Sequence, residues 1–132
     1  MRVVDASIVL QWLLEAPSET ARPVLEDHVE GRDALVAPEL LRYEVGNVLV
    51  RKTRLTPAAV TTAFDHFLDL EIQTYTLGTV EYRESLRLAG LYKLTMYDAS
   101  YVGLAVALGV DMITADQKLA RATAPLGIVH RI

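Results

Sequence analysis

Four carboxylates stand where an α/β protein ordinarily places apolar residues or simple caps. Asp5 closes the apolar run Val3-Val4 in "VVDASIVL". Glu44, in "PELLRYEVGNVL", falls inside the apolar arc that Leu40, Leu41, Val45, Val48 and Leu49 form on a helical wheel. Asp98 is the one charged residue between Thr95 and Val110. Asp116, in "MITADQKLA", follows the apolar run Met112-Ile113-Thr114 and repeats the arrangement at Asp5. Carboxylates brought together repel, and their pKa values rise unless a positive charge intervenes. No lysine or arginine stands conveniently beside Asp5, Asp98 or Asp116 in sequence, so a divalent cation is the economical compensation. Cysteine is absent, and His28, His66 and His130 show no metal-ligand spacing. An all-oxygen ligand set suits Mg²⁺ or Mn²⁺ better than Zn²⁺. Carboxylate-held Mg²⁺ typically serves phosphate chemistry.

Three of the acids also have an ordinary structural explanation. Asp98 and Asp116 stand at helix starts, where aspartate is a good N-cap. Glu44 could pair with Arg51 or snorkel from the edge of its arc. His28 and His66 read as polar-face residues of helices and His130 as a surface strand residue. Asp111 precedes a strand and reads as a turn residue at the opposite end from the other acids.

The elements that must position these acids alternate between strand and helix periodicity. Strands are expected at Arg2–Val4, Ala34–Val36, Ile72–Tyr75, Asp111–Thr114 and Ile128–His130. Helices are expected at Ser7–Glu15 and Glu19–Glu30, the second with Pro23 in its first turn and Gly31 as its stop. A long helix follows Pro38, over Glu39–Arg54. Thr56-Pro57 is an N-cap with proline at the first helical position, starting a helix to Leu70. Thr79 is expected to cap a helix to Leu91. The stretch Asp98–Leu108 is apolar nearly all round, which predicts a buried central helix ended by Gly109. Asp116–Thr123 is the last. Such alternation predicts an α/β fold with a mainly parallel sheet covered on both faces. In open sheets of this kind, sites form beyond the carboxyl ends of the strands. That is where Asp5 and Asp116 fall.

Composition bounds the function. The chain has 132 residues, which predicts one domain over 1–132. Hydrophobic residues make up 52%, with mean hydropathy +0.24. That surplus predicts a self-association or partner surface. No apolar run reaches the ~20 residues of a membrane span, and Asp5 interrupts any leader-like start. The cysteine-free composition fits a reducing compartment, so a cytoplasmic location is expected. Net charge is −4 and the pI about 5.3. This argues against broad electrostatic capture of nucleic acid. It leaves room for a small basic rim, the best local candidate being "RKTR" at Arg51–Arg54, where Arg51 and Lys52 could hold substrate phosphates.

Taken together, "VVDASIVL", "PELLRYEVGNVL", "MYDASYVGLA" and "MITADQKLA" resemble PIN-domain ribonucleases in order and spacing. Within them the chain is most similar to the VapC-type toxins of toxin–antitoxin pairs. The resemblance covers essentially the whole chain. It implies a three-layer α/β/α fold and a Mg²⁺- or Mn²⁺-dependent endoribonuclease, with Asp5, Glu44, Asp98 and Asp116 as the acidic quartet. Ser7 and Thr114 match small hydroxyl positions beside the first and last acids. Asn47 matches a polar position one turn after the glutamate. The three would position carboxylates or phosphate. The resemblance further implies a homodimer, RNA as substrate and a cognate antitoxin seated against Ser7–Glu30 and Glu39–Arg54.

Three other functions are compatible with parts of the sequence. A receiver-like phosphoacceptor domain is disfavoured. Ala115 precedes Asp116, Lys118 falls within the following helix, and Glu44 stands in place of a strand-end aspartate. A PIN-like binding module without catalysis would use the acids only as caps. A PIN nuclease of RNA maturation would share the chemistry and differ in its target.

Overall fold

The computed structural model describes residues 1–14 and 17–132. Five strands form one sheet: β1 (Arg2–Val4), β2 (Leu35–Pro38), β3 (Gln73–Tyr75), β4 (Met112–Thr114) and β5 (Val129–Arg131). Their order is β3-β2-β1-β4-β5 and every pairing is parallel. Among the described residues seven α-helices connect them: α1 (Ala6–Leu14), α2 (Ala21–Val29), α3 (Leu40–Arg51), α4 (Pro57–Asp69), α5 (Thr79–Tyr92), α6 (Met96–Leu108) and α7 (Gln117–Ala122). The architecture is the expected α/β/α arrangement.

The chain moves one way across the sheet, from β1 to β2 to β3, and then returns to β4 on the far side of β1. With right-handed crossovers, this places α1–α4 on one face and α5–α7 on the other. The packing agrees, since α1 meets α3 and α4 while α5 lies along α6. The reversal falls between β1 and β4. Such a switch point opens a crevice beyond the carboxyl ends of the two strands.

The central strands are apolar because helices cover both their faces. Val3, Val4, Leu35, Val36, Ala37 and Met112 are fully buried. Helix α6 is buried continuously from Ala99 to Ala105, as its nearly uncharged sequence predicts. Gly103 lets α5 approach closely. A Cβ there would meet the Ser85 backbone Cα at 3.3 Å and the Ser85 side chain closer still. Gly109 ends α6 in a left-handed conformation at φ 66°.

The differences from the expected elements have local causes. Helix α3 stops at Arg51, where the Thr53 hydroxyl donates to the Leu49 carbonyl at 2.5 Å and closes the last turn. Strand β2 runs on to Pro38, which pairs in register with Tyr75 of β3. Helix α5 begins at Thr79, but its cap is Gly78, whose N–H is held by the Glu81 carboxylate at 2.9 Å. Asp98 is not a cap either. Thr95 caps α6 by accepting from the Asp98 N–H at 3.1 Å. His28 is more than a polar-face residue. Its Nδ1 accepts from the Leu35 N–H at 3.0 Å, so Nε2 donates to the Leu70 carbonyl at 2.6 Å, tying α2 to β2 and to the end of α4. Glu15 lies outside the described residues.

Candidate active site

The β1–β4 crevice is closed by one hydrogen-bonded group. Asp5 ends β1 and is 7% exposed. Its Oδ1 accepts from the Ser7 N–H at 3.0 Å and the Ser7 hydroxyl at 2.5 Å. Its Oδ2 accepts from the Thr114 hydroxyl at 2.5 Å. Ser7 Oγ in turn accepts from the Ala115 N–H at 2.8 Å, and Thr114 Oγ1 accepts from the Asp116 N–H at 3.0 Å. Both hydroxyl protons are thus used on Asp5. The 3.3 Å approach of Ser7 Oγ to Thr114 Oγ1 is therefore a contact rather than a further bond. Burial raises the Asp5 carboxyl above the ordinary aspartate range, and the bonds from Ser7 and Thr114 oppose that rise in part.

The other acids approach from both helix layers. Glu44 lies in the second turn of α3, beside the buried stripe Leu41, Val45 and Leu49. Its carboxyl is pushed up to about 7, first by burial and then by the charges of Asp98 and Asp5. Asp98 lies in the first turn of α6. Burial and the charge of Asp116 raise its carboxyl, while the Thr95 hydroxyl and Lys118 pull partly the other way. Asp116 is the N-cap of α7, accepting from the Lys118 and Leu119 N–H groups at 2.8 and 3.1 Å. Asp98 therefore stands between Glu44 and Asp116. No ion pair involves any of the four acids among the described residues, and Glu44 makes none with Arg51.

Sequence reasoning missed three residues here. Tyr101 lies on α6, three positions after Asp98, and is 1% exposed. Its hydroxyl is the buried side-chain polar group left without a hydrogen bond among the described residues. Burial and the charges of Glu44, Asp5 and Asp98 all raise its pKa, so the phenol borders three of the acids. A tyrosine three positions after Asp98, and so on the same side of an otherwise largely apolar helix, is the available signal. Lys93 and Lys118 line a cleft of about 100 Å³ together with Thr95, Asp98 and Asp116. The expectation that no basic residue attends these acids is corrected at this point. Lys118 is two residues from Asp116, and Lys93 is brought in by the α5–α6 turn. Lys93 holds φ 54°, a left-handed conformation that a side chain adopts at a cost. Asn47 is exposed one turn beyond Glu44. Arg51 and Lys52 are exposed at the far end of α3, about 10 Å along the helix from Glu44. Asp111 is remote from the crevice, paired with His130 at 3.1 Å.

The donor set fits a hard divalent cation. Glu44 and Asp98 have no ion-pair partner among the described residues, and burial first, then neighbouring negative charge, raises both. No three acidic or histidine side chains converge into a ready-made cage among the described residues. Mg²⁺ does not require one, because it keeps several waters and takes one or two carboxylates.

The chain belongs to the PIN domain family, whose profile matches residues 2–125. It is 33% identical over 127 residues to a protein of Mycobacterium tuberculosis named ribonuclease VapC1, covering 91% of this chain and 89% of that one. It is 32% identical over 111 residues to a protein of Pyrobaculum aerophilum named exonuclease VapC9, covering 83% and 84%. Among solved structures, a crystal structure of a Pyrobaculum aerophilum protein matches with TM-score 0.71 at 27% identity, over 97% of this chain and 81% of that one. A toxin–antitoxin complex from Klebsiella pneumoniae contains a chain with TM-score 0.72 and full coverage of both, at 14% identity. The last likeness speaks to the fold alone.

Proposed function

We propose that this chain is a metal-dependent endoribonuclease acting as the toxin of a toxin–antitoxin pair. The observation that carries the reading is the mutual approach of Asp5, Glu44, Asp98 and Asp116 at one crevice, where burial first, and then the charges of Asp98 and Asp5, push Glu44 up to about 7 and Asp98 in turn feels Asp116. The names of the relatives, ribonuclease and exonuclease, support nuclease chemistry.

Asp5, Asp98 and Glu44 would hold Mg²⁺ or Mn²⁺, with Asp116 acting through water. The cation, when bound, supplies a water of lowered pKa and stabilises charge on the phosphoryl oxygens. Ser7 and Thr114 fix the Asp5 carboxylate by donating to both its oxygens, which leaves it one orientation. Glu44 would help hold the cation or orient the attacking water. Lys93 and Lys118 are better placed than Arg51 and Lys52 to meet substrate phosphates. Asn47 would contact substrate only at the outer edge. Attack in line would leave a 5′-phosphate and a 3′-hydroxyl.

Exposed apolar residues on α5, among them Val80, Leu86 and Leu91, support a homodimer or an antitoxin contact. No described helix is long and apolar enough to cross a membrane, and the cysteine-free composition supports the cytoplasm.

The test uses purified protein, freed of any bound inhibitor, with linear and closed-circular RNA in Mg²⁺, Mn²⁺ or EDTA, alongside Asp98→Asn. Metal-dependent opening of the circle, lost in the variant, is expected. Cleavage of linear RNA alone would replace the endonuclease with an exonuclease. No cleavage with any metal would return the acids to capping roles and favour a binding module.

A further inference from the structure

A second cleft, of about 240 Å³, opens at the same edge of the sheet, on the β2–β3 side of the acids. Tyr75, Tyr82 and Tyr97 line it, with Leu40, Glu39 and Met96. Two of its walls belong to the acid site as well. Tyr97 immediately precedes Asp98 on α6, and Leu40 stands one turn before Glu44 on α3.

We propose that this three-tyrosine cleft takes one nucleobase of a single-stranded RNA whose backbone crosses the acids. The inference rests on the nuclease reading and names how such a substrate is gripped. Charge alone grips poorly here, since the chain carries net −4 and the crevice gathers four carboxylates. Stacking on aromatic rings is the alternative source of affinity for single strands, and every base has a face to offer. Tyr97 is 65% exposed and Tyr82 50% exposed, so both rings are open to a ligand. No tyrosine hydroxyl in the cleft is tied to a described residue by a hydrogen bond. The spacing between Tyr82 on α5 and Tyr97 on α6 is set in advance, because the close approach of Ser85 to Gly103 locks the two helices together. A preformed gap avoids the ordering cost that a mobile pair of rings would carry on binding. The volume lies below the ~300 Å³ at which ordinary ligand pockets begin, which suits a single ring system rather than a stacked pair.

The test measures affinity for a short single-stranded RNA with Ca²⁺ in place of Mg²⁺, by fluorescence anisotropy. The proteins are wild type, Tyr97→Ala, Tyr82→Ala, Tyr97→Phe and Tyr82→Phe, each checked for fold by circular dichroism and for self-association by sedimentation. Each alanine variant should weaken binding roughly 5- to 100-fold, and each phenylalanine variant should bind like wild type, since the ring carries the contact. An RNA of the same length in duplex form should bind more weakly and be indifferent to the substitutions. Unchanged affinity in both alanine variants overturns the proposal, as does the absence of RNA binding by wild type. Loss of self-association with RNA affinity intact also overturns it and assigns the cleft to a second copy of the chain. Cleavage is scored separately. Wild-type cleavage with no tyrosine effect removes the base site and leaves the nuclease standing. Tyrosine-dependent binding without cleavage removes the nuclease and leaves the base site.

Discussion

The two halves of the acid crevice are built on opposite principles. On the β1–β4 side, both oxygens of Asp5 accept hydroxyl protons from within the chain, and the donors are themselves held by backbone N–H groups. On the α3–α6 side, Glu44 and Asp98 lie in one another's field with no ion-pair partner among the described residues, and the buried Tyr101 hydroxyl beside Glu44 makes no hydrogen bond of good geometry. One half is complete in the isolated chain. The other leaves its carboxylates without an ion pair among the described residues. The contrast separates the part of a site that sets geometry from the part that leaves room for its ligand.

Thr114→Val should disturb the comparison most. It strips Asp5 Oδ2 of its donor inside the protein, at a cost of about 1–3 kcal/mol, seen as a Tm fall on the order of 3–10 °C. A thermal melt within 1 °C of wild type would show that the complete half is not held as described. Glu44→Gln acts on the other half and through pH. The folded-state carboxyl is raised from 4.5 to about 7. Its contribution to stability is therefore fully present below pH 4.5 and lost as pH rises through about 7. In chelator, wild-type protein should lose stability between pH 5 and 8 more steeply than Glu44→Gln does, and the variant should melt higher at pH 8. Parallel melting profiles would mean that the charges near Glu44 are already compensated. Tyr101→Phe should do least. It removes a hydroxyl that lies beside the Glu44 carboxyl without a hydrogen bond of good geometry, so stability should stay within ~0.5 kcal/mol of wild type in urea unfolding. A loss above ~1 kcal/mol would reveal a bond to Glu44 and bring the two halves closer in kind.

Much of this was legible in the sequence, for reasons that differ by element. Strand β1 and helix α6 announce themselves because burial on every side leaves apolar runs, against which Asp5 and Asp98 stand out. The Thr56-Pro57 start of α4 was readable because its chemistry is local, and Thr56 does accept from the Ala59 N–H at 3.2 Å. Three things were hidden because they depend on distant partners. Thr95 rather than Asp98 caps α6, a choice between two good caps that sequence alone does not decide. Tyr101 looks like any core aromatic until α3 is placed against it. Lys93 comes to line one cleft with Asp116 only through the turn between α5 and α6. The linear spacing of Arg51 from Glu44 suggested a shared face, yet two turns of helix carry it out of the site.

The Asp5–Thr114 bond joins residues 109 positions apart. Its consequence lies in time. A ribosome releases Asp5 first, then the helix bearing Glu44, and Asp98 and Asp116 last. Chains lengthen by about 5–20 residues per second and fold from the N-terminus as they emerge. For most of that interval β1 has only β2 beside it, the crevice has one wall, and Asp5 lacks the Thr114 hydroxyl. Until then the nascent chain lacks the proposed centre. A message broken before the codon for Thr114 yields a fragment without β4 or Asp116, which cannot assemble the proposed centre.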